Sequence, residues 1–166
     1  MKKICASAVI LILFSAVAAA VPSFSVHIGG DFFNYEDNFL DLGFTYMNPV
    51  GEDMELYLSG HFGVLTKTVN GEIDADFFYP VEGGLNFLFP LSQVMTGLFG
   101  IGLTPQFFVS DETRFYLGPT VKCGMRVRIH PLMQWMAEVQ QDLVIGEPKW
   151  INTGTRLYTG IVFTFE

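Results

Sequence analysis

From Phe115 to Ile129 the chain alternates without a break between two kinds of side chain. Phe115, Leu117, Val121, Cys123, Met125, Val127 and Ile129 share one parity, and Tyr116, Gly118, Thr120, Lys122, Gly124, Arg126 and Arg128 share the other. A period of two is the signature of an extended strand with one apolar and one polar face. The same pattern recurs along the chain. Phe24, Val26, Ile28 and Phe32 stand against Ser25, His27, Gly29 and Asp31, then Leu40, Leu42, Phe44 and Tyr46 against Asp41, Gly43 and Thr45. Met54, Leu56, Leu58 and Phe62 alternate with Glu55, Tyr57, Ser59 and His61. Phe77, Tyr79, Val81, Leu85, Phe87 and Phe89 oppose Asp76, Glu82, Gly84 and Asn86, with Phe78 out of pattern. Phe99, Ile101, Leu103 and Phe107 oppose Thr96, Gly100, Gly102 and Thr104. Trp135, Ala137, Val139 and Leu143 oppose Glu138, Gln140 and Asp142, with Gln141 on the apolar parity. The last run sets Leu157, Thr159, Ile161, Phe163 and Phe165 against Arg156, Tyr158, Gly160, Val162 and Thr164. Eight strands are predicted.

Punctuation supports that count. Pro49, Pro90 and Pro131 are spaced 41 residues apart, each followed by an aliphatic residue and then by Met54, Met95 and Met136. Each interval holds one strand out, a connection and one strand back, with Pro in a short turn where its missing N–H costs the ladder nothing. The other connections, "NYEDN", "TKTVNGEID", "SDET" and "GEPKWINTG", are polar and mostly longer, so the two ends of the structure are expected to differ. A propeller blade of similar period would need four strands per repeat, and the sequence supplies two.

The first twenty residues, "MKKICASAVILILFSAVAAA", read as a secretory signal with two lysines, a short apolar core and an A-x-A site before Val21. The predicted division is therefore 1–20 signal peptide and 21–166 barrel domain. A retained anchor helix is the alternative for that segment. Cys5 lies too near the start for lipoprotein acylation, and Cys123 remains as the one mature cysteine, which excludes an intramolecular disulfide and a multi-cysteine zinc site.

Without Lys2 and Lys3, seven basic groups face seventeen acidic ones, a net charge of −10 that argues against nucleic acid as a partner. Yet half the residues are apolar and Phe alone occurs 17 times, which fits neither disorder nor an ordinary soluble surface. Beyond residue 20 no run of eighteen apolar residues offers a transmembrane helix. A soluble eight-stranded barrel such as a lipocalin would need its apolar set to fit inside a narrow bore. Here the apolar face carries Phe, Tyr, Leu and Trp, while the polar face carries Gly, Ser, Thr and a few charges. That composition suits a small barrel with lipid outside, whose closure also satisfies every backbone group. The fold class expected is all-β, an eight-stranded antiparallel up-and-down transmembrane β-barrel.

Segments such as "GPTVKCGMRVRIHPLMQWMAEVQQDL" and "VEGGLNFLFPLSQVMTGLFGIGL" resemble the hairpins of small outer-membrane β-barrels of the OmpA transmembrane-domain type. The resemblance covers the chain after residue 20. It implies short periplasmic turns, surface-exposed loops, outer-membrane lipids as surroundings, and a last strand read by the outer-membrane assembly machinery. One departure is that the terminal aromatic, Phe165, is followed by Glu166. A peptidoglycan-binding domain like that of longer relatives is not expected here.

For function, the bore is the place of interest. Glu55, Glu82, Glu138 and Asp142 would share it with Lys122, Arg126, Arg128 and Arg156, and buried charges need partners. Arg126 and Glu138, matched about the Pro131 turn, are expected to pair across adjacent strands. Two readings follow: ion pairs that fill the bore in a structural or surface-exposed protein, or a gate whose pairs exchange to pass small solutes or hydrophobic compounds. A lipid-modifying enzyme is the third reading. His27 and His61 share inward parity with Ser25 and Ser59, but adjacent Ser and His on one strand serve equally well as filler, so no catalytic residue is assigned. His27, His61 and His130 are too scattered for a metal site. The acidic pairs Glu36-Asp37, Glu72 with Asp74, and Asp111-Glu112 read as solvated loop tips where host or environmental ligands would meet the protein, not as calcium ligands. No cofactor is expected.

Overall fold

The computed structural model describes residues 21–69, 72–110, 112–147 and 149–165; the segment read as a signal peptide lies outside them. Eight strands run β1 Ser23–Phe33, β2 Asp37–Pro49, β3 Met54–Val69, β4 Glu72–Pro90, β5 Met95–Val109, β6 Thr113–His130, β7 Met133–Val144 and β8 Asn152–Thr164. Each pairs antiparallel with its neighbour in sequence, and β1 closes on β8 from Ser23↔Thr164 to Phe33↔Gly154. The eight-stranded up-and-down barrel expected from the alternation is the fold observed.

The two faces divide as the parity requires. Val26, Leu42, Leu58, Phe87, Phe99, Val121, Val139 and Leu157 are exposed on the outside, while Ser25, Asp41, Ser59, Asn86, Thr104, Lys122, Gln140 and Arg156 are buried within. Adjacent strands approach closely enough that a side chain is excluded at several glycines. A Cβ on Gly118 would lie 2.0 Å from the Leu143 carbonyl oxygen, and one on Gly29 2.1 Å from that of Leu157. At these points only glycine lets adjacent strands bend into a tight cylinder.

The repeated Pro-aliphatic-x-x-x-Met segment acquires a physical account. The N–H of Val50, just after Pro49, donates to the carbonyl of Met54 at 3.0 Å, and that of Leu91, just after Pro90, donates to Met95 at 2.9 Å. The residue after the proline thus closes the turn onto the methionine that opens the next strand. The third copy differs: a bulge between Arg128 and His130 shortens the β6–β7 turn to residues 131–132, and β7 starts at Met133.

Two expectations about the connections are corrected. "TKTVNGEID" is not a loop throughout, since β3 runs to Val69 and β4 starts at Glu72; the β-favouring Thr and Val residues carry the ladder as far as Val69↔Glu72. Glu72 and Asp74 therefore belong to a strand and are not at a loop tip. The β1–β2 connection is a tight turn in which Asn34 and Tyr35 both have positive φ, 51° and 57°, and the Glu36 N–H donates to the Phe33 carbonyl at 3.1 Å. Only the β7–β8 connection, residues 145–151, is clearly long. The ends differ mainly in strand overhang: β3, β4, β5 and β6 have 16, 19, 15 and 18 residues, against 11, 13, 12 and 13 for β1, β2, β7 and β8. Because the Pro turns, the start of β1 and the end of β8 share one rim, that overhang raises half of the opposite, loop-end rim.

Candidate functional site: the filled bore

Side chains of inward parity form three successive layers. Nearest the Pro turns, Arg126 of β6 reaches Glu55 of β3 with two nitrogens, Nη1 to Oε2 at 3.0 Å and Nη2 to Oε1 at 2.5 Å. The Asn86 amide donates to the same carboxylate at 2.8 Å. Beside them Lys122 lies 3.3 Å from Glu138 and stands over the Tyr57 ring, 3.6 Å from its centroid, while the Tyr158 hydroxyl donates to Glu138 at 2.8 Å. Met47, Tyr57, Met136, Tyr158 and Val162 pack into a small apolar cluster around these charges.

The middle layer is organised by Arg156. Its guanidinium contacts Glu82, lies 2.5 Å from Asp142 and 3.5 Å from Asp31, and is 0% exposed. Gln140 donates to Glu82 at 2.5 Å, Thr120 at 2.7 Å and Asp142 at 2.9 Å, and Gln106 donates to Asp142 at 2.7 Å. His61 hydrogen-bonds Asp41 through Nδ1 at 2.8 Å and turns Nε2 toward Glu82 at 3.8 Å. His27 stacks on Tyr158 at 4.6 Å between centroids and lies tilted against His61 at 4.8 Å, while His61 meets Tyr158 edge-on at 5.8 Å.

At the loop end the bore is apolar. Phe33, Phe39, Phe78, Phe108, Tyr116 and Val144 form one buried cluster with ring centroids 5.0–6.3 Å apart, including a tilted Phe33–Tyr116 pair and an edge-on Phe39–Phe108 pair. Such tilted and edge-on contacts are the favoured geometry for aromatic rings.

Of the eight residues nominated from the sequence, Glu55, Glu82, Lys122, Arg126, Glu138, Asp142 and Arg156 are buried in the bore and joined to opposite charges. Arg128 departs: still paired with Gln134 in the ladder, it is exposed at the Pro-turn rim beside His130, at the end of β6 just before the bulge. The expected Arg126–Glu138 pair is replaced. That pairing centres the hairpin on Leu132, whereas the register is centred on Pro131 and sets Arg126 against Met136 and Glu138 against Gly124, two residues away. Each then takes another partner, Glu55 for Arg126 and Lys122 for Glu138.

Asp31, Asp41, Asn86 and Gln140 had inward parity in the sequence but were not assigned to the charge network. The aromatic layer was missed, although a signal for it exists. The doublets Phe32-Phe33, Phe77-Phe78, Phe107-Phe108 and Phe115-Tyr116 each place one ring outside and one inside, all at the loop end. Neither histidine has a serine or cysteine hydrogen-bonded to it among the described residues; the Ser59 hydroxyl is bonded to Thr45 at 2.8 Å.

A closed eight-stranded barrel with an aromatic and aliphatic exterior has the fold of the small outer-membrane β-barrels. The structure is similar to Neisserial surface protein A, with a TM-score of 0.71 and 10% identity over 88% of this chain and 97% of that one. It is also similar to Ail, the attachment invasion locus protein of Yersinia pestis in complex with the heparin analogue sucrose octasulfate, with a TM-score of 0.60 and 15% identity over 88% and 99%. A third relative in fold is the outer membrane protein OprG from Pseudomonas aeruginosa, at 0.58 and 10% over 89% and 97%. At these identities the likeness is one of fold. No family model matches the chain, and no curated protein matches it in sequence.

Proposed function

We propose that this is an integral outer-membrane barrel, exported by cleavage of residues 1–20, whose bore is closed and whose role is structural or carried by its surface-exposed end. The observation that supports this best is Arg156, fully buried at mid-bore among Glu82, Asp142 and Asp31, with an aromatic layer between it and the loop-end rim. A conducting bore would hydrate such a charge; here carboxylates and amides surround it instead. The His61–Asp41 pair lies in the same layer, with no nucleophile bonded to it among the described residues, which supports a non-catalytic reading. At the loop end the exposed carboxylate Glu112 would favour a basic surface partner, and the last strand, with the exposed Phe165 directly after it, is the segment offered to the assembly machinery.

Membrane fractionation tests the placement. The protein should resist carbonate extraction, migrate differently in gels before and after boiling, and give no discrete conductance in planar bilayers. Release by carbonate would remove the membrane assignment. Reproducible single-channel steps would remove the closed bore and leave a small channel as the reading.

A further inference from the structure

Trp150 is the most exposed large apolar side chain among the described residues, at 84%, and it lies in the β7–β8 loop with Ile151 exposed beside it. Ile145 and Trp150 line one recess, and Ile145 continues the outward parity of Leu143 and Val139 on β7 while bridging to the exposed Leu117 of β6. The apolar exterior therefore does not stop where β7 stops; it runs on through Leu143, Ile145, Trp150 and Ile151. This loop also rises from the low half of the rim, where β7, β8, β1 and β2 are shorter than β3–β6.

A second observation concerns the polar groups on the same outer face. The Thr155 hydroxyl donates to the Gln141 side-chain amide oxygen, Oε1, at 2.7 Å, and the Tyr35 hydroxyl lies 2.9 Å from Thr155 Oγ1. Because the Thr155 proton is used toward Gln141, Tyr35 donates to Thr155, so the outward polar atoms satisfy one another. That arrangement suits a face turned to lipid, where an unpaired polar group is costly. Behind it, the β1–β2 turn is tied to β8 by Asn34, whose N–H donates to the Thr153 carbonyl at 2.6 Å and whose side chain accepts from the Thr153 N–H at 3.0 Å. The platform under the loop is thereby held in place.

We propose that Trp150, with Ile145, Ile151 and Leu143, seats the β7–β8 loop in the headgroup–acyl boundary of the membrane leaflet at the loop end, so that this loop reclines on lipid instead of projecting into the medium. Trp is the residue best suited to that boundary, with an apolar ring body and one N–H donor. Lys149, which reaches Glu36 at 3.2 Å, and Glu147 place both signs of charge next to the ring, as a headgroup layer allows. The inference rests on the barrel being membrane-inserted.

The chain has two tryptophans, so each can be read alone. Trp135→Phe leaves Trp150, and Trp150→Phe leaves Trp135, which lies on the outer face near the Pro turns. Both variants, with heat-modifiable migration as the check on folding and Trp135→Tyr as a substitute should Trp135→Phe misfold, are reconstituted into phosphatidylcholine vesicles brominated near the top or near the end of the acyl chain. Trp150 should show blue-shifted emission, lose most of it to shallow bromines and less to deep ones, and resist aqueous acrylamide. Emission of a hydrated indole, quenched by acrylamide and indifferent to bromine, with Trp135 still quenched by bromine, overturns the anchor and leaves the barrel intact. Shielding of Trp150 from both quenchers means that protein covers it, which also overturns the anchor. Failure of bromine to quench Trp135 as well overturns the membrane reading and the anchor with it.

Discussion

Arg126 and Glu55 lie 71 positions apart in sequence and meet across the bore, guanidinium to carboxylate, through two hydrogen bonds of 3.0 and 2.5 Å. Neither belongs to the other's hairpin. Such a two-point contact fixes geometry as well as charge, and removing one partner strands the other in a dry interior. Glu55→Gln and Arg126→Met should each cost about 3–5 kcal/mol, while the double variant should recover much of the loss. Urea unfolding in detergent measures the coupling. An Arg126→Met, Glu138→Gln cycle should show a smaller coupling, since no hydrogen bond joins that pair.

Facing sets a second expectation. Phe99 is 46% exposed on the outer wall and Thr104 is 0% exposed within. Phe99→Arg should cost about 2–4 kcal/mol if it lies near the membrane midplane. Thr104→Ser keeps the hydroxyl and should change little. Folding yield into vesicles reads both, and a harmless Phe99→Arg would mean that water, not lipid, lies outside.

The aromatic layer gives a third. Phe78 packs on Phe33, Phe39 and Phe108. Phe78→Ala opens a void in the layer and should cost about 3–5 kcal/mol. It is also the variant most apt to leak, so planar-bilayer recordings should show a raised ion current relative to the parent. An unchanged stability would mean the layer is loosely packed.

Gly118→Ala should impair assembly out of proportion to its size. The added methyl would meet the backbone oxygen of Leu143, which cannot rotate away, so β6 and β7 would have to separate. Gly51→Ala, whose Cβ has only the Met54 methyl within 3.8 Å, is the matched control and should fold normally. Refolding yield by gel shift distinguishes them.

Orientation is testable in whole cells on a Cys123→Ser background. Glu112→Cys at the loop end should react with an impermeant maleimide, and Gly51→Cys in a Pro turn should not. Reaction at Gly51→Cys alone would invert the barrel.

The strand count, the sidedness of each strand and the membrane character of the exterior were all legible in the chain, because the side-chain period of an extended strand is two whatever its neighbours are. Most residues of the eight strands could be assigned inside or outside by parity alone, and Phe78 stood out as an exception because its neighbour Phe77 already held the outward position. Where strands stop was less legible. Thr66 to Val69 and Glu72 to Asp74 look like a polar loop, yet they continue the β3–β4 ladder, because polar side chains do not prevent backbone pairing.

What the sequence by itself determined was that Glu55, Lys122, Arg126, Glu138 and Arg156 share one enclosed space. Which of them touch was decided only by the tertiary structure. A hairpin rule compares residues on adjacent strands, but inward side chains in an eight-stranded cylinder reach the opposite wall, so β6 answers β3 and β8 answers β4. The stagger between strands and the bulge at Arg128–His130 set the heights at which they meet. Those are properties of the closed sheet, and a shift of two residues in one turn leaves every parity unchanged while exchanging every partner.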